Sequence, residues 1–245
     1  MTLTDDDDKT RPAQNRSSST TIKYLTPYAR DMFPDRTCLY KRPSQGIHFT
    51  EFSLHQMTPF KKAAAIAALF DQLIDLTQPS GSQYAVIDAF AGIGGNAMAF
   101  ALNPRVRTLV ALERDSRTYT MLCQNLNNLR NLQAAYAPFN CAASVGVLRA
   151  RIRYVSALPV AIFMDPPWGM YKPYIDVMQP SSPEHPNILA WLAALWSEAT
   201  VQFIVVKVPK RYMWDNAKTP EGWHFSQNCA LSKMEMLVFR RLPKD

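Results

Sequence analysis

Asp165-Pro166-Pro167-Trp168 is the most chemically pointed stretch of the chain. Paired prolines fix the backbone and remove donors, leaving the Pro166 carbonyl free to accept. With the Asp165 carboxylate it makes two acceptors that can converge on one –NH2 group. Trp168 adds a flat face on which a heterocyclic base can stack. An amine held by both hydrogens has its lone pair directed outward, toward an electrophile such as a methyl sulfonium. The same acceptors stabilise positive charge as it develops on nitrogen. Asp165, Pro166 and Trp168 are therefore the expected catalytic residues, and methyl transfer to an exocyclic amine is the chemistry they suit.

A second motif lies upstream. The chain holds only 8 glycines, and Gly92, Gly94 and Gly95 directly follow Val86-Ile87-Asp88-Ala89-Phe90. Glycines after a first strand let the backbone turn tightly and approach a ligand. Gly92-x-Gly94-x-x-Ala97 also matches the dinucleotide fingerprint, so a nicotinamide-dependent oxidoreductase is a rival. Asp88, ahead of the glycines, suits the cationic amino-acid end of S-adenosylmethionine better than a pyrophosphate. Glu113 can accept from ribose hydroxyls of either cofactor. An oxidoreductase has no need for the tryptophan-ended proline loop, so the two loops together favour S-adenosylmethionine.

The elements that must hold these loops follow from periodicity. Thr58 reads as an N-cap and Pro59 as the first helical residue, with Phe60, Ile66, Leu69, Phe70, Leu73 and Ile74 at mostly helical spacing. Strands are predicted at 84–87, 108–112, 161–164, 201–208 and 234–239, with weaker ones at 134–143 and 151–155. Helices are predicted at 96–102, around Tyr119 to Leu129, and at 188–196. Alternation of this kind gives an α/β, parallel, doubly wound sheet. Residues 1–20 read as a disordered tail, with Asp5 to Lys9 matching a protease-cleavage tag, and residues 21–57 as a small N-terminal extension. Residues 58–245 form the single main domain, an ordinary size for one.

Bulk properties narrow the partner. The net charge is +7; Asp5 to Asp8 with Lys9 contribute −3, so the remainder carries +10. Such a body suits a polyanion, because neutralising phosphates releases condensed counterions. Cys38, Cys123, Cys141 and Cys229 are scattered with no C-x-x-C pair, which argues against a zinc site, and no metal is expected. Nothing approaches the ~18 consecutive apolar residues of a membrane span, nor a secretory h-region.

From about Lys23 onward the chain resembles the trimethylguanosine synthase family. The resemblance rests on Lys23-Tyr24, Thr58-Pro59, the run Asp88 to Asn96 with Phe100-Ala101, and Pro166-Pro167-Trp168-Gly169. It implies a Rossmann-like class I methyltransferase sheet and dimethylation of N2 on the 7-methylguanosine cap of a small RNA. It further implies small ribonucleoprotein partners and a nuclear or nucleolar location. Thr58, Asp88, Phe90, Gly92, Gly94, Asn96 and Glu113 are then the expected cofactor contacts. Trp168 would stack on the cationic base, Asn125 would help hold it, and Lys207, Lys210 and Arg211 would meet the cap phosphates. The chain departs from the family in having Asp165 where Ser is frequent. It also has Met170-Tyr171-Lys172-Pro173-Tyr174 after Gly169, so the family's tyrosine role falls to Tyr171 or Tyr174. The acid that the family places near adenine has no direct counterpart, and Asn140 is the cofactor contact expected to accept the same hydrogen bond. Two further alternatives are methylation of adenine N6 or guanine N2 within rRNA, tRNA or DNA, and cap binding without catalysis.

Overall fold

Four charged side chains of the site share one face of a sheet, and the fold is best followed from that sheet. The computed structural model describes residues 20–22, 47–166, 188–195, 197–209, 214, 216–228 and 234–242. In chain order the elements are β1 (Thr20–Ile22), β2 (Ile47–Phe49), α1 (Glu51–Gln56), α2 (Phe60–Asp75), β3 (Tyr84–Asp88), α3 (Gly95–Leu102), β4 (Val106–Glu113) and α4 (Ser116–Asn128). Then come β5 (Ala135–Asn140), α5 (Val145–Tyr154), β6 (Val160–Met164), α6 (Ile188–Leu195), β7 (Val201–Pro209), β8 (Trp223–Asn228) and β9 (Met234–Arg241). None of the described helices is long and apolar enough to cross a membrane.

The main sheet has seven strands in the order β5-β4-β3-β6-β7-β9-β8. The strands from β5 to β7 run parallel, while β9 and β8 return antiparallel, so the sheet is mixed at one edge. All five residues of β3 and of β6 are buried, as expected of parallel strands covered on both faces. One face packs against α2, α3 and α4, with Phe70, Phe100, Phe163 and Phe203 in mutual contact; the Phe70 and Phe100 ring centroids are 4.8 Å apart. Leu148 and Ile152 of α5 and Trp191 and Leu192 of α6 cover the other face.

Local sequence explains most boundaries. Helix α2 buries Ala63, Ile66, Ala67, Phe70, Leu73 and Ile74, one stripe at three- and four-residue spacing. Its cap is Pro59, with no side-chain cap bond, so Thr58 is not the N-cap its type suggests. Residues 151–155, predicted as a strand, instead finish α5, whose N-cap Ser144 accepts from the Val147 N–H. Arg149, Arg151 and Arg153 alternate with other residues and imitate a period of two. Burial of Leu148 and Ile152, four apart, shows the helical period. Beyond the predicted elements are α1, closed by a reciprocal Thr50–Ser53 capping box, and the edge strand β8. In the extension β2 pairs antiparallel with β1.

Candidate active site

Side chains alternate along a strand, so residues two apart share a face. Tyr84 and Val86 of β3, Leu109 and Ala111 of β4, Ala161 and Phe163 of β6, and Phe203 and Val205 of β7 all belong to the core cluster under α2, α3 and α4. The next residues in step are Asp88, Glu113, Asp165 and Lys207. All four stand at the carboxyl ends of parallel strands, around the place where the chain order reverses from β3–β4 to β3–β6. Open α/β sheets bind their ligands at such a switch point. The β6–β7 register pairs Met164 with Val206, which brings Asp165 level with Lys207. A cavity of about 1000 Å³ opens over this edge, lined by Glu113, Asp165 and Lys207 but not by the fully buried Asp88, at the top of the usual range of roughly 300–1,000 Å³ for small-molecule sites.

The glycine loop shapes one wall. Gly94, in the left-handed region at φ 102°, caps α3. Gly95 is needed for proximity: a Cβ there would lie 2.5 Å from Met57 Cγ and 3.0 Å from the Thr58 carbonyl oxygen. That contact sets Thr58 against the start of α3. Its hydroxyl oxygen accepts from Asn96 Nδ2 at 3.1 Å and from Lys207 Nζ at 2.9 Å. Lys207 Nζ also donates to Asp165 Oδ2 at 2.5 Å, and the Thr58 hydroxyl makes a longer 3.5 Å contact to the same oxygen. Asn96, Thr58, Lys207 and Asp165 thus form one connected network on the cavity wall.

Two buried acceptors in this region have no partner among the described residues: Asp88 Oδ2 and Asn96 Oδ1. Asp88 is fully buried, and its other oxygen accepts from the Phe90 N–H at 3.3 Å. Burial first, and the nearby Asp165 charge second, push its carboxyl up to about 8. Burial also raises Glu113, opposed by the N–H groups of Asp115 and Gly92 that donate to its two oxygens at 2.8 and 3.0 Å. Glu113 thereby ties the end of β4 to the glycine loop. The Phe90 ring, half-buried, stacks on Trp191 with an interplanar angle of 8°. Asn140 Nδ2 donates to the carbonyls of Glu113 and Arg114 and joins β5 to the same edge.

Two expected site residues make hydrogen bonds that their sequence context does not reveal. Asn125 is buried, with Oδ1 accepting from the His48 N–H and Nδ2 donating to the carbonyls of His48 and Ile93. Its amide holds β2 to the glycine loop, and Asn125 is not among the residues that line the cavity. Lys207, expected to meet phosphates, is only 7% exposed and has its ammonium committed to Asp165 and Thr58. Pro166 lines the cavity beside Asp165. Trp168, Tyr171, Tyr174, Lys210 and Arg211 lie outside the described residues. The cavity wall also includes Phe52 of α1, 61% exposed, to which sequence reasoning assigns nothing.

No protein-family model matches the chain. The chain is 28% identical over 135 residues to the trimethylguanosine synthase of Schizosaccharomyces pombe, a match covering 55% of this chain and 52% of the relative. It therefore spans about half the length of that curated relative. Among solved structures, the human methyltransferase 10 domain containing protein superposes with a TM-score of 0.52 at 13% identity, over 78% of this chain and 87% of its own. A proposed methyltransferase of Porphyromonas gingivalis W83 gives 0.57 at 14% identity, over 84% of this chain and 45% of its own. The fold is Rossmann-like, of the methyltransferase type.

Proposed function

We propose that the chain methylates an exocyclic amino group of a nucleic-acid base with S-adenosylmethionine as donor, and that the amine is N2 of a 7-methylguanosine cap on a small RNA. The observation that carries the first half is the juxtaposition of two subsites on one strand edge. On one side are the unpartnered acceptors Asp88 Oδ2 and Asn96 Oδ1. They fit the ammonium of an amino-acid moiety, which brings the donors they lack. Glu113, at the end of the neighbouring strand, fits ribose hydroxyls, and Gly92 and Gly94 leave room for the backbone to approach. On the other side stands Asp165 with the Pro166 carbonyl.

The bound donor supplies an electrophilic methyl on a sulfonium. Everything else falls to the chain. Asp165 Oδ2 is taken by Lys207, and Oδ1 has no partner among the described residues, so it can accept one amine hydrogen while the Pro166 carbonyl accepts the other. Both stabilise the charge that grows on nitrogen before its proton leaves. That proton passes to Asp165 or to solvent, and the contribution of the two acceptors is chiefly orientation.

The cap assignment draws on the 28% identity to the yeast trimethylguanosine synthase and on Trp168 as a stacking face for a cationic base. A net charge of +7 accords with an RNA partner. Capped small RNAs, their ribonucleoprotein proteins and a nuclear setting belong to the same proposal. The test is methyl transfer from labelled S-adenosylmethionine to m7GTP, GTP and uncapped RNA. Transfer to m7GTP alone is expected. Transfer to GTP, or to internal bases of uncapped RNA, would move the assignment to a base-internal amino methyltransferase. Nicotinamide dinucleotide binding with no affinity for S-adenosylmethionine would end it altogether.

A further inference from the structure

A lysine in the middle of an apolar strand calls for an explanation. Lys207 sits in Phe203-Ile204-Val205-Val206-Lys207-Val208, and all six of these residues are buried. An ammonium taken out of water is tolerated only where a partner of opposite charge and further acceptors replace the lost hydration. Both are present. Nζ donates to Asp165 Oδ2 at 2.5 Å and to Thr58 Oγ1 at 2.9 Å. Asp88 and Glu113 face the same edge, so Asp165 without Lys207 would be a third carboxylate in a poorly solvated cluster.

We infer that Lys207 is a positioning residue for methyl transfer, locking the Asp165 carboxylate so that Oδ1 faces the acceptor amine, and that Thr58 couples this lock to the cofactor side. This rests on the amino-methyltransferase function proposed above. The coupling follows from the shared oxygen. Thr58 Oγ1 accepts from both Lys207 and Asn96, and Asn96 keeps its own Oδ1 for the cofactor's ammonium. One hydroxyl therefore sets the distance between the two subsites. A carboxylate with one oxygen fixed by a 2.5 Å charge-assisted bond keeps its plane, and its second oxygen keeps its direction. A lysine so engaged is not available to a phosphate at the cavity mouth.

The test compares wild type with K207M, K207R, D165N and the K207M/D165N double variant. Calorimetric affinity for S-adenosylhomocysteine should stay within about twofold of wild type in K207M. The turnover number should fall on the order of a hundredfold, the loss typical of a displaced catalytic group, with little change in acceptor KM. K207R, which keeps the charge, should recover part of it. In the D165N background K207M should cost little more, in turnover and in melting temperature alike, since paired residues couple. Additive losses would separate Lys207 from Asp165 and overturn the inference. So would a K207M effect confined to KM for m7GTP and absent for the 7-methylguanosine nucleoside, which would return Lys207 to phosphate binding. If K207M does not fold, the comparison of K207R with D165N and K207R/D165N carries the same contrast. Failure of the function itself reads differently: wild type would bind no S-adenosylhomocysteine, while the melting-temperature coupling of Lys207 and Asp165 would still report on the pair.

Discussion

Gly95 and Thr58 lie in contact that leaves no room for a side chain: a Cβ on Gly95 would sit 3.0 Å from the Thr58 carbonyl oxygen and 3.2 Å from its nitrogen. The closeness is what seats the Thr58 hydroxyl between Asn96 and Lys207. Gly95→Ala should therefore cost about 1–3 kcal/mol of stability, the usual range for overpacking a tight site. It should lower methyl transfer far more than that loss explains at temperatures where the variant is folded. Thermal melts and cofactor titration check it. A variant with full affinity and turnover would show that the Met57–Thr58 segment backs away without disturbing the site.

Under the proposed function, Asp88 should make cofactor binding proton-linked. Its folded value of about 8 stands well above the ordinary 3.8, so at neutral pH the free protein holds this carboxyl protonated. An incoming ammonium favours the carboxylate, so binding at pH 7 should release up to one proton. Affinity for S-adenosylmethionine should rise between pH 6 and 8, by at most about tenfold per unit. It should level above that, where Asp88 is already ionised and an α-amino group, at about 7.7–8.0, begins to lose its own proton. The ligand-free fold binds more protons than the unfolded chain over the interval from about 4 to 8, so its stability should decline as pH rises through it. Calorimetry in buffers of different ionisation heat measures the proton count. Zero release in wild type, or release that persists in Asp88→Asn, would assign the linkage elsewhere.

Asn125→Ala separates a structural amide from a base-binding one. Removing it deletes its three hydrogen bonds, to the His48 N–H, the His48 carbonyl and the Ile93 carbonyl. A cost of about 1–3 kcal/mol is expected from denaturant unfolding. Acceptor KM should change by no more than about twofold below the transition. Unchanged stability with a raised KM would restore the amide to the base.

Much of the site is readable before folding, because Asp88, Glu113 and Asp165 each end an apolar run and the period of two puts each in step with its buried neighbours. Lys207 follows the same rule from Phe203 and Val205. A buried lysine demands an anion, yet three carboxylates qualify, and only the β6–β7 register selects Asp165. The period of two fixes which face each residue takes, but parallel strands are joined by long crossovers and no tight turn pins their offset. The Arg149, Arg151, Arg153 alternation points to a strand because charge masks the weaker Leu148–Ile152 signal. In Trp223-His224-Phe225-Ser226 the strand pattern is present but short, and its place at the sheet edge depends on β9. Asn125 carries a residue type equally fit for ligand or backbone, and only its burial against His48 and Ile93 decides.

The Thr58 hub is assembled from distant parts of the chain: its partner Asn96 is 38 residues away and Lys207 is 149 residues away. Chains are made from the N-terminus, and domains consolidate as their parts emerge. A nascent chain can complete the glycine loop long before β7 exists. Until Lys207 arrives, Asp165 lacks its counter-charge, so the Thr58 network closes only once β7 is made, after the strands that lead to Asp88, Glu113 and Asp165.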